Sequence, residues 1–146
     1  MTGGCQCGAV RYALASEPTH TSICHCRMCQ KAFGNYFSAL TGVPNNDLTW
    51  TRGQPGIFRS SEAVERGFCR ECGTPLTYRQ VDTDRICISI GSLDEPGRVI
   101  PEIQYGTEGR LPAFEALHAL PGITTEADTP PETLARMKSR QHPDHD

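Results

Sequence analysis

A mainly β domain, a sandwich, a barrel or a set of coiled sheets, stapled by bound metal, is the fold class this sequence predicts, and three observations predict it. Seven of the eight cysteines fall into three tight clusters: Cys5-Gln6-Cys7, Cys24-His25-Cys26-Arg27-Met28-Cys29 and Cys69-Arg70-Glu71-Cys72. Short strand-like runs follow one another at close spacing with glycine and proline between them. Eleven prolines and 14 glycines interrupt the 146-residue chain too often for a helical bundle.

The first segment, residues 3–14, reads as a glycine-rich knuckle entering a strand, because Val10, Tyr12 and Leu14 alternate with shorter or charged residues. A second knuckle spans Cys24 to Cys29. A short helix is expected over Met28 to Phe33, stopped by Gly34-Asn35, since glycine or asparagine commonly follows the last turn. Tyr36 to Thr41 reads as a strand and residues 42–47 as a turn cluster. Strands are then expected at Leu48–Thr51, Gly56–Ser60, Val64–Cys69, Pro75–Gln80 and Arg85–Ile90. Residues 101–120 are ambiguous, with a strand at Ile103–Tyr105 and a loop around Leu111-Pro112. After Gly122 the chain turns polar. Thr129-Pro130-Pro131-Glu132 looks like a helix start, with Leu134 and Met137 on one face and an end near Arg140. These readings give one domain over residues 1–123 and a polar extension over 124–146, with a short helix and a disordered end.

Length and composition bound the rest. The chain suits one well-buried domain and not two. A net charge of −3 with no long run of one sign gives no footprint for nucleic acid or an anionic membrane. No apolar run approaches a membrane span. A cysteine at position 5 leaves no room for a signal peptide, so a cytoplasmic location is expected, where thiols stay reduced. In an oxidising compartment eight cysteines could form four disulfides. The CxC and CxxC spacings suit a shared ion better, because tetrahedral Zn–S bonds of about 2.3 Å set neighbouring sulfurs roughly 3.8 Å apart.

The cysteine arithmetic suggests two sites. Cys5, Cys7, Cys69 and Cys72 make a closed four-thiolate set, whose halves lie 62 positions apart and tie the first strand to the middle of the sheet. Cys24, Cys26 and Cys29 supply three thiolates and leave a coordination position for water or substrate. A zinc ribbon joining Cys5 and Cys7 to Cys26 and Cys29 is the second arrangement, and it strands Cys24. At the middle cluster His25 or Cys87 could instead close the shell. His25 is also the nearest group to move a proton, or else packs the knuckle. Arg27 would offset thiolate charge or lie solvated. Cys87, alone in an apolar strand, reads as a core residue. His118, His142 and His145 are read as solvated or packing residues.

With these residues in view, the chain resembles the glutathione-dependent formaldehyde-activating enzyme family, also called centromere-protein-V-like. The resemblance rests on Gly4-Cys5-Gln6-Cys7-Gly8-Ala9-Val10-Arg11-Tyr12, Cys24-His25-Cys26-Arg27-Met28-Cys29-Gln30-Lys31 and Phe68-Cys69-Arg70-Glu71-Cys72-Gly73-Thr74-Pro75-Leu76, followed by Gly91-Ser92-Leu93-Asp94. It implies an Mss4-like coiled-sheet fold with two zinc ions, a structural one on Cys5, Cys7, Cys69 and Cys72 and a catalytic one on Cys24, Cys26 and Cys29. It also implies a carbon–sulfur lyase type of activity, the joining of glutathione to formaldehyde or a related small aldehyde, with those two small molecules as partners. Where the family pattern carries a proline-tryptophan pair, this chain has Leu111-Pro112-Ala113-Phe114. The competing reading is a zinc-stabilised protein-binding module of the same fold. A pocket beside the three-cysteine site favours the enzyme; a flat surface and a closed fourth ligand favour the module.

Overall fold

The computed structural model describes residues 1–145. Its strands, in chain order, are β1 (Thr2–Gly4), β2 (Arg11–Leu14), β3 (Thr19–Cys24), β4 (Ser38–Pro44), β5 (Leu48–Arg52), β6 (Gly56–Ser61), β7 (Val64–Phe68), β8 (Pro75–Gln80), β9 (Arg85–Ser89) and β10 (Ile103–Tyr105). The helices are α1 (Arg27–Phe33), α2 (Thr125–Asp128) and α3 (Pro131–Arg136), with short 3₁₀ turns between strands. Two sheets result. A small antiparallel one has the order β1-β2-β5, and a seven-stranded one has the order β10-β3-β4-β9-β8-β7-β6. Every pair in the large sheet is antiparallel except β10 on β3.

The core lies between the sheets, built from Val10, Tyr12, Leu14, Val43, Leu76, Ile88 and Leu93 together with Cys5 and Cys69. It is small, and two of its members are candidate metal ligands. Val10, Tyr12 and Leu14 are buried as their alternation predicts. Arg11 breaks the pattern, since it is buried as well. Its guanidinium forms a two-pronged pair with Asp94, at 2.8 and 2.6 Å, and Thr2 Oγ1 donates to the same carboxylate at 2.6 Å. Tyr12 meets Ser92 Oγ at 2.8 Å and packs edge-on against Trp50, with centroids 5.8 Å apart. Burial and the Asp94 charge push the Tyr12 phenol well above its ordinary range, so it stays neutral. The turn after β9 therefore fastens the small sheet to the large one. Gly3 bridges Leu93 there, in a space that a Cβ could enter only by overlapping Ser92 and Tyr12.

The expected elements are present with shifted edges. α1 begins one residue earlier than expected and ends on Gly34 in the left-handed region (φ 56°), whose N–H donates to Gln30 O. The strand expected over Tyr36–Thr41 starts at Ser38 and runs through Gly42-Val43-Pro44, residues expected to turn. Those residues pair with Cys87, Ile86 and Arg85 of β9, and Val43 is fully buried. Proline is tolerated there because it is the last strand residue. β1 and β3 carry no apolar alternation and were not expected. In β3 the polar Thr21 and Ser22 are buried, and Thr21 Oγ1 pairs with Thr41 Oγ1 at 2.8 Å. α3 stops at Arg136, short of Arg140, because the Met137 N–H is shared between Thr133 O and Leu134 O and Met137 itself is 57% exposed. Of the tail expected to be disordered, Gln141, His142 and Asp144 line a cavity beside the first knuckle, and His142 N donates to Gln6 O at 2.8 Å. Asp146 lies outside the described residues. Among those described, no helix is long and apolar enough to cross a membrane.

Candidate metal centres and the adjoining groove

Two turns of matching design bring the first four cysteines together. Between β1 and β2, Cys5 N donates to Val10 O at 2.9 Å; between β7 and β8, Cys69 N donates to Thr74 O at 2.9 Å. Each turn is closed by a glycine in the left-handed region, Gly8 (φ 75°) and Gly73 (φ 76°), a conformation that disfavours any side chain. All four sulfurs lie within 4.8 Å of one another. Cys5 to Cys7 is 3.6 Å and Cys7 to Cys69 is 3.8 Å, the separations that a tetrahedral thiolate shell requires. Val10 N points at Cys5 Sγ (3.2 Å), and Thr74 Oγ1 lies 3.2 Å from Cys72 Sγ. Burial and the neighbouring sulfurs push Cys69 up to about 12. Burial also acts to raise Cys72, but hydrogen bonds from the Thr74 hydroxyl and N–H outweigh it and draw that thiol down to about 6. Four crowded sulfurs with such opposed proton affinities are a set that a divalent cation satisfies, replacing mutual repulsion with attraction.

The second set is local. Cys24 ends β3, Cys26 caps α1, and Cys29 sits in its first turn. Their sulfurs also lie within 4.8 Å of one another, and no further Cys, His, Asp or Glu joins the group among the described residues. Cys29 is buried, whereas Cys24 and Cys26 are half-buried. Burial and the Cys29 charge raise Cys24 to about 12. Burial acts to raise Cys29 too, but the Ser38 hydroxyl and the Arg66 guanidinium prevail and hold it below its ordinary value.

Arg66 is a neighbour of the three-sulfur set that cysteine spacing misses. It lies in β7, only 7% exposed, with Nη2 donating to Cys29 Sγ at 3.5 Å and Nε to Ser60 Oγ at 3.2 Å. Its guanidinium stacks over Tyr78 at 5.1 Å, while Nη1 is buried without a partner. The sequence held one signal for it: Arg66 stands two positions from Val64 in an expected strand, so it faces the same buried side. Gln30 is a second such residue, its amide donating to His25 O at 2.7 Å and Gly109 O at 2.9 Å, which clamps the knuckle to the turn after β10.

His25 is fully buried and outside both sulfur groups. Its Nε2 meets Gln104 Oε1 at 2.9 Å, and its ring packs edge-on against Phe114 at 4.6 Å, with Phe37 at 6.0 Å. The aromatic of Leu111-Pro112-Ala113-Phe114 thus reaches the back of the knuckle, and this geometry favours packing over proton transfer. Arg27 is exposed and donates to Gln30 Oε1 at 3.2 Å. Cys87 joins neither group; it is half-buried in β9, and burial raises its thiol. His118 is exposed, and neither it, His142 nor His145 enters a metal group.

A cavity of about 340 Å³ lies between α1 and the β6–β7 hairpin, with Arg66, the donor to Cys29, in its lining. A larger one, about 430 Å³, lies beside Cys5 and Cys72 under residues 141–144 of the tail, where the closed four-sulfur set has no position to offer.

The chain has known relatives. A protein of Podospora anserina, provisionally named a glutathione-dependent formaldehyde-activating enzyme, is 32% identical over 82 residues, covering 55% of this chain and 38% of its own length. One of Phaeosphaeria nodorum with the same name is 32% identical over 80 residues, 53% of this chain and 42% of its own. An uncharacterized lyase of Schizosaccharomyces pombe is 30% identical over 76 residues, 52% of this chain and 55% of its own. The chain thus spans about half or less of these relatives. A crystal structure of a Rhodobacter sphaeroides protein superposes with a TM-score of 0.58 at 21% identity, over 72% of this chain and 99% of that one, which is a likeness of fold. The family model for the glutathione-dependent formaldehyde-activating enzyme matches residues 1–108, and with both cysteine sets inside that match, the chain belongs to this family.

Proposed function

We propose that the protein is a zinc-dependent enzyme of carbon–sulfur bond chemistry, joining a small thiol such as glutathione to formaldehyde or a related small aldehyde in a reducing compartment such as the cytoplasm. The observation that carries this reading is the asymmetry of the two sulfur sets. One has four sulfurs and is closed; the other has three, no fourth protein donor among the described residues, and a neighbour, Arg66, that donates to Cys29 and lines a cavity. That combination favours the enzyme over a protein-binding module with a flat surface.

Cys5, Cys7, Cys69 and Cys72 would hold a structural ion, and Cys24, Cys26 and Cys29 a catalytic one. Zinc on three thiolates supplies an exchangeable position, where a thiol's pKa falls and a carbonyl is polarised. In the overall step a C–S bond forms between the thiol sulfur and the carbonyl carbon, the C=O π bond opens, and the thiol proton ends on the former carbonyl oxygen. The chain contributes positioning. Gln30 fixes the knuckle, Arg66 offsets the charge on Cys29, and His25 with Phe37 and Phe114 backs the loop. Water can carry the thiol proton to the new hydroxyl, since S–H and O–H protons exchange readily with solvent.

The direct test mixes the zinc-loaded protein with glutathione and formaldehyde and follows adduct exchange by NMR, beside a Cys26→Ser control. Exchange above the uncatalysed rate, lost in the control, is expected. A wild type no faster than buffer, or a control that matches it, would sink the assignment. A second expectation concerns metal retention. Zinc on the three-sulfur set, with its exchangeable position, should pass to a chromogenic chelator in an earlier phase than zinc on the closed set. Release in a single phase, or one ion per chain at the outset, would contradict it.

A further inference from the structure

Resting on the thiol reading above, we propose that the groove between α1 and the β6–β7 hairpin is the seat of the thiol's carboxylate, so that the enzyme selects thiols bearing a carboxylate a few atoms from the sulfur. The groove has apolar walls from Met28, Ala32 and Phe58 and a cationic rim from Arg27, Lys31 and Arg66. No acidic residue lines it, in a chain whose net charge is −3. A second cavity of about 300 Å³ continues it, sharing Ala32, Phe58 and Arg66.

Three features point to an anionic occupant. Arg27 and Lys31 stand four positions apart on α1, a spacing that puts both side chains on one face. Arg66 joins the groove to the sulfur set, since it lines the cavity and donates to Cys29. Its Nη1 is buried without a partner, a costly state for a charged donor, and one more acceptor in the groove would relieve it after a small side-chain shift. A ligand with its sulfur at the Cys24, Cys26 and Cys29 set and its carboxylate among the three cations would bridge metal site and groove, with Phe58 and Met28 covering its carbon chain. Phe58 and Met28, 61% and 50% exposed, are then not idle surface.

The test compares two near-isosteric thiols, 3-mercaptopropionate and 3-mercapto-1-propanol, binding to the zinc-loaded protein by calorimetry, together with S-methylglutathione, which keeps the carboxylates but has no free thiol. Charge-assisted hydrogen bonds to carboxylate lead us to expect about tenfold tighter binding of the acid than of the alcohol. In an Arg27→Gln/Lys31→Gln variant the ratio should fall to within about twofold, and S-methylglutathione binding should weaken in parallel. Both positions are exposed, so an unchanged melting temperature checks the fold. Equal affinity for the two thiols in the wild type, or a preference left undiminished in the double variant, overturns the groove assignment and leaves the thiol reading standing. The converse failure is distinct. Neither thiol binding, while S-methylglutathione binds the wild type and is lost in the variant, removes the thiol–metal reading and supports the groove.

Discussion

Cys69→Ser is expected to leave no cooperatively folded protein, whereas Cys26→Ser should melt within about 10 °C of the wild type. The difference follows from what each set of sulfurs closes. Cys7 and Cys69 are 62 positions apart yet 3.8 Å apart in space, so one ion there would hold the small sheet to the β7–β8 turn. Structural zinc in small domains contributes about 10–16 kcal/mol of apparent binding energy. That matches or exceeds the whole net stability of a domain, about 5–15 kcal/mol. Cys69 also belongs to the apolar core, at 1% exposure, so a serine hydroxyl would be desolvated there as well as being a poor ligand. The Cys24–Cys29 knuckle, in contrast, is closed locally and clamped independently by Gln30. Thermal melts of the two variants, prepared with zinc, decide the matter, and equal melting temperatures would reject the division between a structural and a catalytic set.

The same contrast explains how much of the molecule its sequence disclosed. The two candidate metal-binding groups could be picked out because thiolate coordination demands short, fixed spacings, and CxC, CxCxxC and CxxC leave few ways to pair. β2 and the β6–β9 strands were legible from turn residues and alternation. β3 was not, because its buried residues are Thr21 and Ser22, which satisfy each other's surroundings through Thr41 and backbone pairing instead of by apolarity. Arg66 and Gln30 were hidden for a related reason. Each is a polar side chain buried by partners remote in sequence, Cys29 in one case and Gly109 in the other, and no local pattern encodes such a meeting. The Gly91-Ser92-Leu93-Asp94 turn stood in between. Its resemblance to the family was visible, but its purpose was not, until the fold brought Asp94 to Arg11 and Ser92 to Tyr12.

That turn supports the other large effect. Asp94→Ala should destabilise the protein by about 3–5 kcal/mol, the usual cost of removing one partner from a buried ion pair. For a domain of this size that is a fall of roughly 10–15 °C in melting temperature. The Arg11 and Asp94 side chains are only 3% and 6% exposed, and the carboxylate accepts from both guanidinium nitrogens and from Thr2. Its loss would leave the Arg11 charge inside the protein without its two-pronged acceptor and release the bridge between the sheets. The pH dependence has a definite sign. Burial acts to raise the Asp94 carboxyl, but Arg11 and Thr2 outweigh it and hold the group below its ordinary 3.8. A depressed carboxylate stabilises the fold fully above its unfolded-state pKa, and the contribution disappears as pH falls through the lower, folded-state value. The stability gap between wild type and Asp94→Ala should therefore be constant from pH 7 to pH 5 and close only below about pH 4. Loss of metal from protonated thiolates affects both proteins and drops out of the difference. Urea midpoints measured for the pair across that range provide the check. A gap that already narrows between pH 7 and pH 5, or no gap at neutral pH, would mean that the Arg11–Asp94 pair does not join the two sheets energetically.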